Sequence, residues 1–338
     1  MEVVTTLQPA RLANSTRYPM PEFGARLLGF GAAQPSRVVS AGELGTPFER
    51  SAEWVETRTG IQQLRRIEGD ERLLDLALSA ADDAIAASGV EASEIDFVIA
   101  ATCSVRGGAQ PLAPQLSAAL APGAATYDLN AACSGFCYAL SAAEGMIRAG
   151  SARYVLIVGA EQMSDLIDPA DLGTGIIFGD GAGAAVLGPV TGTQTEIGPV
   201  VWGSDGAQSE MIAFDEPEDD TRSYMRMQGR QVFRWAVENI HRVALQACQR
   251  AGVDPVEIDI FVPHQANLRI VDAIAGKLGF RDVVIADDVV NSGNTSAASI
   301  PIALTRLIAD GRARSGELAL LIGFGAGLAY AGQVVRMP

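Results

Sequence analysis

Two stretches of this chain read alike: Gly89-Val90-Glu91-Ala92-Ser93-Glu94-Ile95-Asp96-Phe97-Val98-Ile99 and, 163 residues later, Gly252-Val253-Asp254-Pro255-Val256-Glu257-Ile258-Asp259-Ile260-Phe261-Val262. Each copy follows an apolar helical pattern, over residues 73–88 and 232–251, and each begins with a glycine where a helix C terminus favours a left-handed residue. Each copy then enters a short apolar run that is typical of a buried strand. The chain therefore contains two copies of one α/β unit.

The repeat predicts the fold class. Apolar strands expected at residues 152–159 and 317–323 extend the correspondence, and each follows a helix rich in Ala, Leu and Ile. Continuous apolar strands that alternate with helices are typical of parallel sheets covered on both faces. We predict two pseudo-symmetric halves that form a layered α-β-α-β-α sandwich. A turn expected at residues 188–193 leads us to place an N-terminal tail at 1–22, a first half at 23–195 and a second half at 196–338.

Size, charge and cysteine usage exclude several classes of function. The chain has 338 residues, 48% of them hydrophobic, and a formal net charge of −15. Its longest apolar runs are far shorter than the roughly 20 residues of a membrane span, and the negative charge disfavours nucleic acid and anionic lipid as partners. The first twenty residues lack the apolar stretch of a secretory signal. Four cysteines without metal-ligand spacing are typical of reduced thiols, so we expect a cytoplasmic protein without a metal site.

Cys133 is a candidate nucleophile. It lies in Asp128-Leu129-Asn130-Ala131-Ala132-Cys133-Ser134-Gly135-Phe136, between a short strand and an apolar helix. A thiol at a helix N terminus lies at the positive end of the helix dipole and ionises more easily. The alternative is that Cys133 is a small buried hydrophobic residue.

His264 and Asn294 are the candidate partners of the thiol. His264 follows the strand expected at residues 260–262, whereas the other histidine, His241, lies among charged residues within a helix. Asn294 occupies a polar turn before an apolar helix. A buried structural histidine and a helix N-cap are the alternative readings. The 163-residue offset pairs Cys133 with Ser296, so the turn that carries Asn294 is the counterpart of the turn that carries Cys133, and the pseudo-twofold axis brings both turns and His264 to one cleft.

A glycine-rich turn completes the predicted site. Gly323-Phe324-Gly325-Ala326-Gly327 ends the final apolar strand, and its glycines permit a tight backbone whose N–H groups, with that of Cys133, suit an oxyanion hole. The similar Gly179-Asp180-Gly181-Ala182-Gly183 precedes a strand instead of opening a helix, so it does not match a dinucleotide-binding loop.

These residues resemble the thiolase-like condensing enzymes, and most closely the β-ketoacyl-acyl-carrier-protein synthase III group. The resemblance runs from about residue 25 to the end of the chain and rests on six ordered motifs. They are WVETRTGI (54–61), DLNAACSGF (128–136), IIFGDGAGAAV (176–186), PHQAN (263–267), GNTS (293–296) and GFGAG (323–327). The resemblance implies a duplicated thiolase-like fold in which Cys133 carries the acyl group and His264 and Asn294 bind the malonyl thioester oxygen. It also implies that the N–H groups of Cys133 and Ala326 form the oxyanion hole and that Phe324 guards the cysteine.

The resemblance also implies substrate-binding residues. Trp54 and Arg58 are expected to contact the nucleotide end of coenzyme A, and Gly229 and Asn267 to line the pantetheine tunnel. Gln110 is placed at the substrate site, in the stretch 106–111 where relatives commonly carry a bulky aromatic residue that closes the acyl pocket across a dimer.

A basic surface is expected to dock the acidic carrier protein. Arg226, Arg230 and Arg234 recur every four residues, which predicts one helix face, and Arg269 is expected to join them. The alternative is a solvated charged face.

The implied activity is the decarboxylative condensation of an acyl group on Cys133 with malonyl-acyl-carrier protein, which starts a fatty acid or polyketide chain, in a homodimer and without a cofactor. Asp165 stands where relatives often carry an arginine that stacks on adenine, so acyl-CoA and acyl-carrier protein both remain possible donors. The rival is an acyltransferase of the same fold that moves the acyl group to a hydroxyl, an amine or a carrier protein without decarboxylation. Asn294 favours condensation, and a degradative thiolase would need a second cysteine where Ala326 stands.

Overall fold

The structure is a computed structural model that describes residues 23–105, 109–191, 195–215 and 223–338. The predicted tail, residues 1–22, and part of the predicted acyl-pocket stretch, residues 106–108, lie outside the described residues. The strands are β1 (Phe23–Ala33), β2 (Arg37–Ser40), β3 (Gln63–Arg66), β4 (Phe97–Ala101), β5 (Ala125–Leu129), β6 (Val155–Glu161), β7 (Gly181–Thr191), β8 (Val201–Ser204), β9 (Ile212–Phe214), β10 (Met225–Met227), β11 (Ile260–Pro263), β12 (Val284–Ile285), β13 (Leu318–Gly325) and β14 (Ala329–Arg336). The α-helices are α1 (Ala41–Gly45), α2 (Ala52–Thr59), α3 (Leu73–Ser88), α4 (Leu112–Leu120), α5 (Gly135–Arg148), α6 (Leu172–Gly175), α7 (Gly229–Ala251), α8 (Leu268–Ala275), α9 (Val289–Ser292) and α10 (Ser299–Ala309).

Two five-stranded sheets repeat the same topology. Their strand orders are β1-β7-β6-β4-β5 and β12-β11-β13-β14-β8, which correspond when one is read backwards. In each sheet three strands run parallel and the other two run antiparallel to their neighbours. The predicted duplication is confirmed, but the prediction of parallel sheets is wrong because the sheets are mixed. Strand β14 follows β13 after a three-residue turn, which is too short for the crossover that a parallel pair requires.

Helices cover both faces of each sheet. Helices α5 and α10 lie between the sheets, where Leu140 and Leu304 belong to one buried cluster with Ile157 of β6 and Leu321 of β13. Helices α3 and α4 cover the outer face of the first sheet, and α7 and α8 cover the outer face of the second. Successive strand residues face opposite layers. The predicted α-β-α-β-α sandwich is confirmed.

Helix ends also follow the repeat. Gly89, with φ 68°, caps the C terminus of α3, and Gly252, with φ 69°, caps that of α7. Both glycines adopt the left-handed conformation that was expected at these positions. This backbone conformation is not strained at either position, because glycine has no Cβ.

The offset between the halves changes along the chain. In the first half the backbone N–H of Asp96 donates a hydrogen bond to the carbonyl of Tyr154, and in the second half that of Asp259 donates to Leu318. The two donors are 163 residues apart but the two acceptors are 164 residues apart. The short 3-10 turns before α5 and α10 span Ala132–Ser134 and Ser296–Ala298, and begin at residues with φ 46° and 49°. Ser296 is thus the counterpart of Ala132, and the predicted pairing of Ser296 with Cys133 is wrong by one residue, because the intervening connections differ in length.

The prediction of a turn that begins at residue 188 is also wrong. Strand β7 continues to Thr191, which pairs with Phe23, and residues 192–194 lie outside the described ranges. Pro189 is tolerated because β6 ends its pairing at Leu187, so β7 has only β1 as a neighbour from there on. The division of the chain at 195/196 stays a prediction. Within the described residues, no helix combines the length and apolar character that crossing a membrane would require.

Candidate active site

Cys133 lies in the 3-10 turn between β5 and α5. The matching turn before α10 packs against it: a Cβ placed on Gly135 would lie 3.4 Å from the Cβ of Ala297. On its other side Gly325 is in such close contact that a Cβ there would lie 2.6 Å from the Cβ of Cys133. The two helix starts therefore meet, and the glycine-rich turn closes around the cysteine.

His264 is held at the end of β11 by a serine of the opposite helix. Its Nδ1 lies 2.7 Å from the Ser299 hydroxyl, and the backbone N–H of Gln265 donates to the same hydroxyl oxygen at 3.3 Å. The hydroxyl oxygen keeps a second lone pair and its own hydrogen, so Ser299 can pair with Nδ1 in either direction. In the tautomer in which Ser299 donates to Nδ1, the ring proton lies on Nε2, where it can be donated to a ligand in the cavity.

Burial sets the protonation states of the thiol and the imidazole. Burial lowers the pKa of His264 to about 3, so the ring is neutral at physiological pH. Burial raises the pKa of the Cys133 thiol to about 11, although a hydrogen bond with Ser296 opposes the rise. The expected help from the helix start does not decide the protonation state of Cys133, because desolvation of the thiolate has the largest effect on its pKa.

Asn294 is buried in the turn before α10, with 5% of its surface exposed. Its Oδ1 accepts the backbone N–H of Ser296 at 2.9 Å, which forms an Asx turn. Its own backbone N–H donates to Ile177 at 2.9 Å, which fixes the turn against the first half of the chain. With the carbonyl oxygen used in the turn, the amide group Nδ2 is left as the donor.

Phe324 and Ala326 lie on either side of Gly325: Phe324 is still part of β13, and the turn begins at Ala326. Phe324 packs edge-on against His264 with ring centres 5.4 Å apart and an interplanar angle of 78°. Ala326 opens the 3-10 turn after β13. Gly327 has φ 117°, a conformation that side chains rarely adopt.

One cavity of about 920 Å³ joins these residues. Its lining includes the predicted Cys133, His264, Asn294, Phe324, Ala326, Trp54, Arg58, Gly229, Asn267, Arg230, Arg234 and Arg269. Gln110 is exposed and does not line this cavity, so the structure of this chain does not bring it to the site.

The cavity entrance is built from α2, α7 and α8. The guanidinium groups of Arg50 and Arg58 lie 5.2 Å and 5.3 Å from the centre of the Trp54 ring. The Asn267 side chain caps α8 and donates to the backbone carbonyl of Arg58 at 3.4 Å. Motifs from both halves of the chain thus meet at the entrance.

Arg226 departs from its predicted place. It lies in β10, before α7 begins, and does not share a helix face with Arg230 and Arg234. It forms ion pairs with Asp168 at 3.1 Å and Asp215 at 2.9 Å, and it does not line the cavity. The four-residue spacing was misleading because β10 ends at Met227 and α7 begins only at Gly229, after Gln228.

Sequence reasoning missed several polar residues of the site. They are Cys103, Glu161, Ser296, Ser299 and Lys277. Glu161 had a usable signal, since it is the charged residue of the otherwise apolar strand β6. Lys277 joins the arginines around the cavity and donates to the Val237 carbonyl at 3.0 Å. Within the described ranges, no group of three or more His, Cys, Asp or Glu residues could hold a metal ion.

Comparison with known proteins agrees with this site. Family models described as 3-oxoacyl-(acyl-carrier-protein) synthase III match residues 127–206 and, for its C-terminal part, residues 248–337. The chain is 47% identical to a β-ketoacyl-(acyl-carrier-protein) synthase III of Mycobacteroides abscessus over 92% of this chain and 94% of the relative.

Solved structures lead to the same family. The priming β-ketosynthase of the R1128 polyketide biosynthetic pathway superimposes with a TM-score of 0.91 at 42% identity, over 94% of this chain and 98% of that one. The 3-oxoacyl-(acyl carrier protein) synthase III of Pseudomonas aeruginosa superimposes with a TM-score of 0.86 at 36% identity, over 93% and 98%. This chain belongs to the 3-oxoacyl-(acyl-carrier-protein) synthase III family.

Proposed function

We propose that this enzyme loads an acyl group onto Cys133 and joins it to malonyl-acyl-carrier protein, with release of CO₂ and formation of a 3-ketoacyl-carrier protein. The observation that carries the proposal is that Cys133, His264 and Asn294, from separate segments of both halves, open into one cavity. The names of the relatives, which include a priming ketosynthase, support a role at chain initiation.

Loading exchanges one thioester for another. The Cys133 sulfur attacks the carbonyl carbon of an acyl-CoA or acyl-carrier-protein thioester, and the donor leaves as a thiol. Negative charge develops on the carbonyl oxygen in the transition state. The backbone N–H groups of Cys133 and Ala326, on facing turns, are suited to stabilise that charge.

Condensation needs two neutral donors. When malonyl thioester loses CO₂, the electron pair of the broken C–C bond moves to the α-carbon and charge spreads to the thioester oxygen. His264 offers Nε2–H and Asn294 offers Nδ2–H to that oxygen. The α-carbon then attacks the Cys133 thioester, and the cysteine leaves as the product forms. This chemistry needs no metal or redox cofactor.

The cavity entrance is suited to a phosphopantetheine thioester. Trp54, Arg58 and Asn267 lie along the entrance, and the exposed Arg230 and Arg234 of α7 stand beside it. Arg269 of α8 and Lys277 add positive charge in a chain whose net charge is −15. We propose that this basic rim docks the acidic carrier protein.

The protonation of His264 disfavours the rival acyl transfer. Transfer to a hydroxyl or an amine requires a base that removes a proton from the acceptor. Burial lowers the pKa of His264 to about 3, and the Ser299 hydroxyl occupies Nδ1, so the ring is a weak proton acceptor. The imidazole is therefore arranged as a donor to an oxygen rather than as a base.

Mass spectrometry distinguishes the two reactions. The protein is exposed to a panel of acyl-CoAs and then to malonyl-carrier protein, with Cys133→Ala as the control. We expect the acyl mass on Cys133, then CO₂ and a 3-ketoacyl-carrier protein. An unchanged acyl group on an acceptor, without CO₂, would establish the rival reaction instead.

Variants of the two proposed hydrogen-bond donors, His264 and Asn294, should affect condensation but not acyl loading. We expect His264→Ala or Asn294→Ala to lower the condensation rate about 10²–10³-fold, the effect of removing one oxyanion donor, while Cys133 is still acylated. Loss of loading in both variants, measured by the acyl mass on the intact protein, would contradict the assigned roles.

The assembly and location expected from the sequence are also part of the proposal. Strand β5 is at the edge of the first sheet, where a second copy could extend it into a homodimer. The four cysteines are free thiols, as in the reducing cytoplasm. Sedimentation of the purified protein tests the dimer.

A further inference from the structure

A buried glutamine follows the active-site histidine directly in the chain. Gln265 has 0% of its surface exposed, comes after strand β11 and does not line the cavity. A buried side-chain amide costs free energy unless its polar atoms are hydrogen-bonded, and an apolar residue of similar volume would fill the same space without that cost. The hydrogen-bond partners of Gln265 therefore indicate its role.

The side chain of Gln265 joins three segments of the second half. Its Nε2 donates to the carbonyl of Pro263, at the end of β11, at 2.8 Å and to that of Ala286, just after β12, at 3.3 Å. Its Oε1 accepts the backbone N–H of Val289 at 3.1 Å. Both donor hydrogens and the acceptor oxygen are thus used, and a satisfied buried network holds its members in one arrangement.

The bond to Val289 fixes the helix that leads to Asn294. Val289 is the first residue of α9, and Gly293 and Asn294 follow the end of that helix. The first N–H groups of a helix have no partner within the helix, and here Gln265 supplies one. The N–H of Gly293 donates in turn to the Val289 carbonyl at 3.0 Å, so the position of Val289 also sets that of the residue before Asn294.

Gln265 is tied to the imidazole as well. Its backbone N–H donates to the Ser299 hydroxyl at 3.3 Å, and the same hydroxyl lies 2.7 Å from Nδ1 of His264. One residue therefore contacts both the hydroxyl that holds His264 and the helix that leads to Asn294.

We propose that Gln265 is a positioning residue that fixes the distance between the donor groups of His264 and Asn294. The inference rests on the proposed condensation, in which both side chains donate to one thioester oxygen. Each donor must lie about 2.7–3.1 Å from that oxygen, so the pair tolerates little change in its separation. Acyl loading uses Cys133 and backbone N–H groups of other segments, and it does not depend on that separation.

The test compares acyl loading with condensation in Gln265→Met, whose side chain is of similar size but has no amide. The Val289 N–H and the two carbonyls lose their partner, so α9 should shift relative to β11. Because a displacement of about 1 Å can cost 10²-fold in rate, we expect the kcat of condensation to fall about 10–100-fold and the rate of loading to stay within about twofold of the wild type.

Gln333→Met is the matched control. Gln333 of β14 is also buried, donates to the carbonyl of Gly198 at 3.2 Å and does not line the cavity. Loss of this amide should leave both rates unchanged. An equal loss of condensation in Gln333→Met would mean that any buried amide has this effect, and it would contradict the special role of Gln265.

A double-mutant cycle distinguishes positioning from a general loss of structure. In Asn294→Ala the second donor is absent, so its misplacement has no consequence, and adding Gln265→Met should lower condensation by less than about threefold. A purely structural role predicts the full effect in both backgrounds. Additive effects of the two substitutions would therefore refute the inference.

A second variant keeps the test valid if Gln265→Met does not fold. Gln265→Asn retains a neutral amide on a shorter side chain, which cannot hold α9 at its present distance from β11, and it should show the same loss of condensation with loading intact. If either variant folds and condenses at the wild-type rate, Gln265 has no positioning role. If the wild type loads an acyl group but forms no ketoacyl product, the proposed function is wrong and the inference fails with it.

Discussion

At the nucleophile, burial and the helix start act in opposite directions, and burial has the larger effect. The pKa of Cys133 is raised to about 11 by desolvation, and the pKa of His264 is lowered to about 3 by the same cause. Both side chains are consequently neutral at rest. This pair differs from a thiolate–imidazolium pair, and it gives the imidazole the donor role that decarboxylation needs.

Ser299 should set the tautomer of His264. We expect Ser299→Ala to release Nδ1, allow the ring proton to move there and slow condensation about tenfold, the value of one hydrogen bond, with acyl loading unaffected. Since the chain has two histidines, long-range ¹H–¹⁵N spectra can report the tautomer directly, with His241→Gln used to assign the signals. A ring that keeps its proton on Nε2 in Ser299→Ala would contradict this account.

Among the elements, strand β13 lies against the nucleophile at its last residue, Gly325. A methyl group on Gly325 would lie 2.6 Å from Cys133 Cβ and 3.2 Å from its backbone nitrogen. Gly325→Ala should therefore displace the cysteine, slow its acylation and cost about 1–3 kcal/mol of stability. Acylation rates and urea unfolding measure both effects. The control Gly206→Ala adds a methyl where nothing lies within 4 Å, and equal behaviour of the two variants would exclude the steric explanation.

Helices α7 and α8 present the proposed docking surface. Reversing Arg230 and Arg234 to Glu should raise the KM for malonyl-carrier protein about tenfold or more and spare self-acylation from acyl-CoA. Both steps can be followed by the mass of the acyl-enzyme and of the product.

The matched control reverses two exposed arginines outside the cavity lining. Arg72 precedes α3, and Arg148 ends α5, roughly 20 Å along the helix from the turn of Cys133. The double variant Arg72→Glu/Arg148→Glu makes the same change in net charge and should leave the KM unchanged. An equal rise in both double variants would mean that net charge, not a docking surface, governs the interaction.

The stability of the molecule should depend on pH through His264. An unfolded chain binds a proton at this ring near pH 6.5, while the folded protein excludes it until about pH 3. Protonation therefore favours unfolding, and stability is lost as the pH falls below 6.5. Between pH 7 and pH 5 this one ring should cost about 2 kcal/mol.

Urea unfolding at the two pH values tests the effect. His264→Gln removes the titrating ring, so this variant should lose about 2 kcal/mol less than the wild type over the same interval. Identical losses would show that other groups account for the acid sensitivity.

The duplication, the layer order and the site residues Cys133, His264 and Asn294 could be predicted from the sequence, because each produces a local sequence pattern. Apolar strands, glycine-ended helices and ordered motifs depend on neighbours in sequence, and two copies of one unit imply the pseudo-twofold axis. The glycine-rich segment around Gly325 could also be predicted, since only a residue without a Cβ lets the backbone there approach Cys133 so closely.

Other features depend on residues far apart in the sequence, and folding alone brings those residues together. The change of offset at Ser296, the separation of Arg226 from α7 and the position of Gln110 outside the cavity follow from the lengths and paths of connections. The neutral states of Cys133 and His264 follow from the amount of protein around them, because the cost of a charge depends on its three-dimensional surroundings. Glu161 was recognisable as an unusual residue of an apolar strand, but its hydrogen bond with Ser296, 135 residues further along the chain, exists only in the folded chain.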